Sequence, residues 1–233
     1  MARRVVVPVA VLLLTLAGVP AMQAQQTPVT VPNPGVPEVM TLEDAFVRVA
    51  YNNEGYVTLG YRLANASVGQ EWMLLEVGAT LRHGRPNYVL KRGGITLQTP
   101  DGQTVVLPTN NDYRQADLRA LENRSTVLRD AINYFPPETT GACRIGFFAE
   151  MTSRAVAYDE LELSSQRGCV GRLYFKVPGG IKYGQHWLNV PFKDSLVRVP
   201  FRIVTKEEEQ VLSKNWRDIK KQVDDAFKKG GKV

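Results

Sequence analysis

Histidine and cysteine are scarce in this chain, with two residues of each among 233. His83 and His186 stand alone, outside any His-Glu-x-x-His motif. The sequence contains no Gly-x-Ser-x-Gly nucleophile elbow and no Gly-x-x-x-x-Gly-Lys phosphate loop. These absences argue against a ready-made zinc site, a serine hydrolase and a P-loop nucleotide-binding protein. We therefore predict no metal site, no catalytic residues and no cofactor.

Glycine and proline are also too few for a fibrous or low-complexity protein, at 19 and 14 residues. Hydrophobic residues make up 44% of the chain, which is too high a share for a disordered one. The length fits one globular domain with additional segments.

The N-terminus has the pattern of a secretory signal peptide. Arg3 and Arg4 precede an uncharged, mostly apolar stretch at residues 5–19. This stretch contains Pro8 and is shorter than the roughly 20 apolar residues that cross a bilayer. Cleavage after Ala24 is favoured over cleavage after Ala21, with an uncleaved anchor as the alternative. The pattern predicts a secreted or periplasmic protein without a transmembrane span after cleavage.

The net charge gives little support to nucleic-acid binding. It is +6 for the whole chain, and residues 1–24 carry two arginines and no acidic residue, so cleavage lowers it to +4. A nucleic-acid-binding face requires clustered Lys and Arg. We expect no nucleic-acid partner.

Cys143 and Cys169 are predicted to form a disulfide, because an even pair of cysteines in an oxidising compartment is usually bridged. The functional alternative is a redox-active pair. Such pairs usually have Cys-x-x-Cys spacing, which these residues lack.

The sequence predicts four successive regions: a signal peptide at 1–24, a proline-rich linker at 25–38, a β-sandwich domain at 39–205 and an amphipathic helix at 206–229. The β region has short apolar segments that alternate with polar residues and are separated by Gly, Pro, Asn and Asp. The turn Thr99-Pro100-Asp101-Gly102 between two such segments predicts a hairpin. This organisation favours an antiparallel sandwich over alternating strands and helices.

Residues 113–135 interrupt the β pattern and predict a helical insertion. Their apolar residues lie on one side of a helix drawn at 100° per residue. These residues are Leu118, Leu121, Leu128, Ile132 and Phe135. Polar residues at 123–126 leave open two short helices in place of one.

Residues 170–204 resemble the last strands of bacterial exported immunoglobulin-like domains. The likeness lies in a Gly-x-Leu-x-Phe-x-Val-Pro strand that starts at Gly171, the following glycine turn and two closing strands. It implies an immunoglobulin-like β-sandwich and implies no activity.

The C-terminal helix carries the clearest candidate interaction surface. Thr205 and Glu208 have the spacing of a capping box at its start. One stripe of the helix is apolar, and its candidate interaction residues are Leu212, Trp216, Ile219, Val223 and Phe227. This stripe can be buried on its own domain, on a second copy, on another envelope protein or at a bilayer surface. The last is least favoured because the polar face is not mainly basic.

A second candidate site is a basic loop that could bind an anion. It comprises Arg82, His83, Arg85, Lys91 and Arg92. The alternative interpretation is a solvated loop between strands.

The sequence thus predicts a noncatalytic binding or assembly protein of the cell envelope, with an unknown ligand. The alternative is a secreted hydrolase or carbohydrate-active enzyme with a site built from scattered carboxylates and His186. Asp159, Glu160 and Glu162 are candidate carboxylates, although Glu160 and Glu162 alternate with leucines like the exposed face of a strand.

Overall fold

The fold is known from a computed structural model that describes residues 39–149 and 156–230. The predicted signal peptide at 1–24 and the predicted linker at 25–38 lie outside the described residues. Within these ranges the protein is mainly β, as the sequence predicts.

The described strands, in chain order, are β1 (Val39–Asp44), β2 (Val47–Tyr51), β3 (Gly55–Gly60), β4 (Trp72–Leu81), β5 (Tyr88–Lys91), β6 (Thr96–Gln98), β7 (Thr104–Val106), β8 (Gly141–Ile145), β9 (Glu160–Leu163), β10 (Arg167–Lys176), β11 (Gly184–Pro191) and β12 (Leu196–Ile203). The helices are α1 (Arg62–Asn65), α2 (Asn110–Gln115), α3 (Arg119–Val127) and α4 (Lys206–Gly230), with a short 3-10 turn at Arg92–Gly94.

The strands form three sheets. The largest has the order β1-β2-β3-β4-β10-β8, a second has the order β12-β11-β6-β7, and β5 pairs with β9. Pairing is antiparallel, as predicted, except between β8 and β10, which run parallel. The six-stranded sheet is therefore mixed at this edge. Strand β9, which lies between β8 and β10 in the chain, pairs with β5 outside this sheet.

The predicted hairpin at Thr99-Pro100-Asp101-Gly102 is present between β6 and β7. The Gly102 N–H donates to the Thr99 carbonyl oxygen at 3.0 Å. Gly102 has φ +81°, a backbone conformation that glycine adopts without steric cost. The local sequence is thus sufficient to fix this turn.

One hydrophobic core is shared by the six-stranded and four-stranded sheets. Leu59 and Val77 of the larger sheet belong to the same buried cluster as Leu188 and Val199 of the smaller one. Strand β12 contacts β2 and β3 directly. At this contact the Tyr61 ring packs on the Phe201 ring, with 5.2 Å between ring centroids.

The helical insertion is shorter than predicted. Two helices are present, α2 and α3, but the break between them lies at residues 116–118 and α3 runs through 123–126, where the sequence suggested a break. The prediction that the helix continues to 135 is also wrong. The last helical bond runs from the Leu128 N–H to the Arg124 carbonyl oxygen. The Asp130 N–H instead donates to the Glu76 carboxylate at 2.7 Å. The Glu76 side chain in β4 therefore accepts the hydrogen bond that the Asp130 N–H would donate in a further turn of the helix.

Residues 129–136, which we call the strap, cross the outer face of the six-stranded sheet. Three glycines make room for it: Gly60 in β3, Gly78 in β4 and Gly168 in β10. A Cβ atom at Gly78 would lie 2.9 Å from the Phe135 ring, and one at Gly168 would lie 2.5 Å from it. The three glycines form a trough in the surface of the sheet. Ile132 and Phe135, which the sequence suggests as part of a helical stripe, lie in this trough.

Candidate interaction surface

Helix α4 begins on the body of the protein. The Thr205 N–H donates to the Glu208 carboxylate at 2.9 Å, and the Glu208 N–H donates to Thr205 Oγ1 at 3.3 Å, which forms the predicted capping box. Glu208 also pairs with Arg202 at 3.0 Å. Leu212 packs against the hydrophobic core. The first turns of α4 are therefore anchored to the body.

Farther along α4, the apolar stripe extends beyond its contact with the core. Among its described side chains, Leu212 packs against the core and Trp216 and Ile219 do not. Ile219 is 48% exposed, and Trp216 is partly buried. Val211 lies off the stripe and is 60% exposed. An exposed apolar surface of this kind marks an interaction site when it is contiguous.

The predicted stripe continues at Val223 and Phe227, and α4 extends over both positions. The surroundings of these two side chains lie outside the described part of the molecule. No described helix combines the length and the apolar character needed to span a membrane.

The structure divides the predicted anion-binding loop into two groups at opposite ends of β5. Arg82 and Arg85 donate to the carbonyl oxygens of Asn52 and Asn53, at 3.4 Å and 2.8 Å. His83 between them is exposed.

The second group faces acidic residues of the neighbouring segment. Lys91 lies 3.4 Å from the Glu160 carboxylate, and Arg92 lies 2.8 Å from that of Asp159. The arginine and lysine side chains of this loop thus each have a protein acceptor, and the Lys91–Glu160 pair joins β5 to β9.

His186 is fully buried. Its ring stacks on Phe201 with 5.2 Å between centroids, and its Nδ1 lies 3.1 Å from the Gly184 carbonyl oxygen. Burial lowers the pKa of this imidazole, so the ring is neutral near pH 7. These contacts describe a core histidine. The hydrolase alternative requires the ring to share a pocket with carboxylates.

The candidate carboxylates make surface ion pairs. Besides the pairs of Asp159 and Glu160, Glu162 lies 3.5 Å from Arg167 and accepts a hydrogen bond from Asn87. Among the side chains that the structure describes, no group of three or more His, Cys, Asp and Glu is placed to hold a metal ion.

A buried charge cluster that the sequence analysis missed anchors the strap. The pKa of the Glu76 carboxyl is raised by burial, and Arg129 and Arg172 lie 3.8 Å and 3.9 Å from it. Asp130 is also buried, with a raised pKa, and accepts from the Arg62 N–H at 2.8 Å and from Arg62 Nε at 2.9 Å. The signal in the sequence is a single glutamate inside the apolar run of β4.

The groove beside this cluster has a volume of about 950 Å³ and is lined by Arg129, Arg144 and Arg172. Arg129 and Arg172 compensate the charge of the buried Glu76 carboxylate. An uncompensated buried carboxylate would destabilise the fold by several kcal/mol. The cluster therefore has a structural task, which is to hold the strap on the sheet.

Cys143 and Cys169 form the predicted disulfide, with 4.3 Å between Cα atoms. They are partners in the parallel pairing of β8 with β10. The bridge therefore joins the edge strand of the largest sheet to its neighbour.

Comparisons with protein-family models, curated proteins and solved structures give no match for this chain, so its function must be argued from these contacts.

Proposed function

We propose that this chain is an exported, noncatalytic binding or assembly protein of the cell envelope that docks its partner on the apolar stripe of α4. The observation that carries the proposal is the exposure of Ile219 on a stripe whose described contact with the body is Leu212. A helix of this amphipathic pattern is normally buried along its apolar face. The remaining apolar length is thus available to a partner.

Two features support export to a periplasmic or extracellular location. The N-terminus has the signal-peptide pattern, and Cys143 and Cys169 are bridged. Disulfides persist in oxidising compartments and are rare in the cytosol.

We also propose that the two larger sheets form an immunoglobulin-like β-sandwich that serves as the rigid support of α4. The shared core of Leu59, Val77, Leu188 and Val199 supports this arrangement. A binding element is more effective on a rigid scaffold because less conformational freedom is lost on association.

The noncatalytic function is favoured over the hydrolase alternative by the position of His186. Its ring is buried against Phe201 and does not line a described groove. The carboxylates suggested as its partners are engaged with Lys91, Arg92 and Arg167.

The proposal is tested by crosslinking and affinity capture of the tagged chain in its native envelope. Ile219→Lys places a charge on the stripe, and Val211→Lys is the matched control on an exposed position off the stripe. We expect the unmodified chain and the control to capture the same protein, and Ile219→Lys to reduce its recovery at least tenfold. A second copy of this chain, carrying a different tag, is scored as a possible partner.

Equal recovery with both lysine variants would contradict the proposal. Unfolding midpoints of the two variants are measured in parallel, because a misfolded variant also loses partners. Both substituted residues are about half exposed or more, so both variants are expected to fold.

A further inference from the structure

A pocket of about 580 Å³ is lined by one end of the β4–β10 pair, by α2 and by the segment that joins α2 to α3. This volume is typical of small-molecule sites, which span roughly 300–1,000 Å³. Trp72 and Lys176 are partners in the antiparallel pairing of the two strands, and both line the pocket. None of the described lining residues belongs to α4, so the pocket and the apolar stripe are different surfaces.

The α2 side of the pocket is fixed by a buried tyrosine. The Tyr113 ring packs on the rings of Phe148 and Tyr174, with 4.9 Å and 4.8 Å between centroids. Its hydroxyl donates to the Glu122 carboxylate in α3. These contacts hold α2 against α3 before any ligand binds, so less conformational freedom is lost on binding.

Trp72 gives the pocket an aromatic surface. Its side chain is partly buried and packs against the core. Among the described residues, no second ring and no guanidinium or ammonium group stacks on the Trp72 ring. The Trp187 ring, by contrast, has Arg198 over it, 4.6 Å from the centroid. The flat apolar face of an indole suits the C–H face of a sugar ring, which packs on it through dispersion and weak C–H contacts.

The polar side chains around this aromatic surface combine hydrogen-bond acceptors with donors. Three carboxylates, one amide and one ammonium group line the pocket: Glu71, Asp112, Asp117, Gln115 and Lys176. Hydrogen bonds from Thr109 lower the pKa of Asp112, so its carboxylate is an acceptor at neutral pH. A hydroxyl group both donates and accepts hydrogen bonds, so this mixture suits a ligand with several hydroxyls.

The charges of the pocket favour a neutral ligand. Lys176 lies 3.6 Å from the Glu71 carboxylate, and its charge also acts on Asp112. Arg119 lies 3.6 Å from the Asp117 carboxylate. A cationic ligand would have to compete with these two basic residues, and an anionic ligand would face the three carboxylates.

We propose that this pocket binds a neutral oligosaccharide, with one sugar ring packed on Trp72 and neighbouring hydroxyls bonded to Gln115 and Asp117. A sugar has an apolar C–H face beside a hydroxyl edge, and the pocket has an aromatic surface beside polar side chains. The inference goes beyond the proposed function, because it assigns a small-molecule site that uses no residue of α4.

Isothermal titration calorimetry of the processed chain tests the site with three neutral trisaccharides: N-acetylchitotriose, cellotriose and maltotriose. Spermidine and trigalacturonate are the cationic and anionic comparisons. We expect at least one of the neutral trisaccharides to bind, and both charged compounds to bind at least tenfold more weakly than it does. Binding of none of the three trisaccharides, or tighter binding of either charged compound, would overturn the inference.

Two variants locate the binding in the pocket. Trp72→Ala is expected to weaken trisaccharide binding at least tenfold, and Gln115→Ala at least threefold. Trp187→Ala removes an indole elsewhere, and Asn111→Ala changes an exposed α2 residue that is not among the described lining residues, so both controls should stay within twofold. Trisaccharide binding that is unchanged in both pocket variants would contradict the assignment.

Unfolding midpoints are measured for all four variants, because Trp72 packs against the core. Gln115 is exposed, so its variant is expected to fold and decides the result if Trp72→Ala does not fold. Ile219→Lys, which tests α4, should leave trisaccharide binding within twofold. Failure of the pocket and failure of the proposed function are therefore separate results.

Discussion

Removal of the disulfide by the double substitution Cys143→Ala and Cys169→Ala is expected to lower the free energy of unfolding by about 3.5 kcal/mol. The bridge closes a loop between residues separated by 26 positions, so it restricts the unfolded chain. In the folded chain it fixes β8, the edge strand of the six-stranded sheet, to β10. For a domain of this size the loss corresponds to a fall of roughly 10 °C in the melting temperature.

The measurement is chemical denaturation of the double variant and the unmodified chain, with and without a reducing agent. We expect most of the difference in the free energy of unfolding between the two proteins to be lost when the unmodified chain is reduced. Cys169 is fully buried, so a small further loss from the missing sulfur atoms remains in both conditions. Equal midpoints without reductant would show that the bridge does not stabilise the fold.

The second large effect is expected at the trough beneath the strap. The Gly168→Ala substitution should lower the free energy of unfolding by about 1–3 kcal/mol, because the added Cβ overpacks a filled site. The three atoms nearest to that Cβ atom belong to the Phe135 ring, two at 2.5 Å and one at 3.1 Å. Thermal or chemical unfolding measures the loss.

A double-mutant cycle shows whether the clash is with the strap. In a Phe135→Ala background, the Gly168→Ala substitution should change the free energy of unfolding by less than about 0.5 kcal/mol. The matched control is Gly93→Ala, because a Cβ at Gly93 meets no atom within 4 Å. A full loss from Gly168→Ala without the Phe135 ring would mean that the strap does not occupy the trough.

Elements determined by short-range chemistry could be predicted from the sequence. The hairpin at Thr99-Pro100-Asp101-Gly102 follows from one proline and one glycine at turn positions. The start of α4 follows from Thr205 and Glu208, whose side chains bind the backbone N–H groups within their own turn. The disulfide could be predicted from a pair of cysteines and the signal-peptide pattern at the N-terminus.

Elements determined by contacts distant in sequence could not be predicted in this way. Ile132 and Phe135 have helical spacing, yet Glu76, more than fifty residues earlier, takes the Asp130 N–H out of the helix. The trough needs Gly60, Gly78 and Gly168 from three different strands to lie on one face. No local sequence pattern indicates that glycines so far apart in the chain lie on one face of a sheet. The parallel pairing of β8 with β10 likewise joins segments that are distant in the sequence.

The candidate site was predicted in part. The apolar stripe of α4 was visible in the sequence, and the structure adds that Leu212 is anchored while Ile219 is exposed. The basic loop looked like an anion site because Asp159 and Glu160, its partners, are almost seventy residues away. The ion pairs of Lys91 and Arg92 with these carboxylates could therefore not be inferred from the basic residues alone, and anion binding by this loop stays a prediction.

The unfolding midpoint of a chain that ends at Ser213 tests most directly whether α4 is an interface. This chain keeps the capping box, the Arg202–Glu208 pair and Leu212, and it lacks Trp216 and Ile219. At a concentration where the full processed chain is monomeric, we expect the two midpoints to agree within about 2 °C. A midpoint lower by more than about 5 °C would mean that the stripe is part of the body's own core, and would contradict the account.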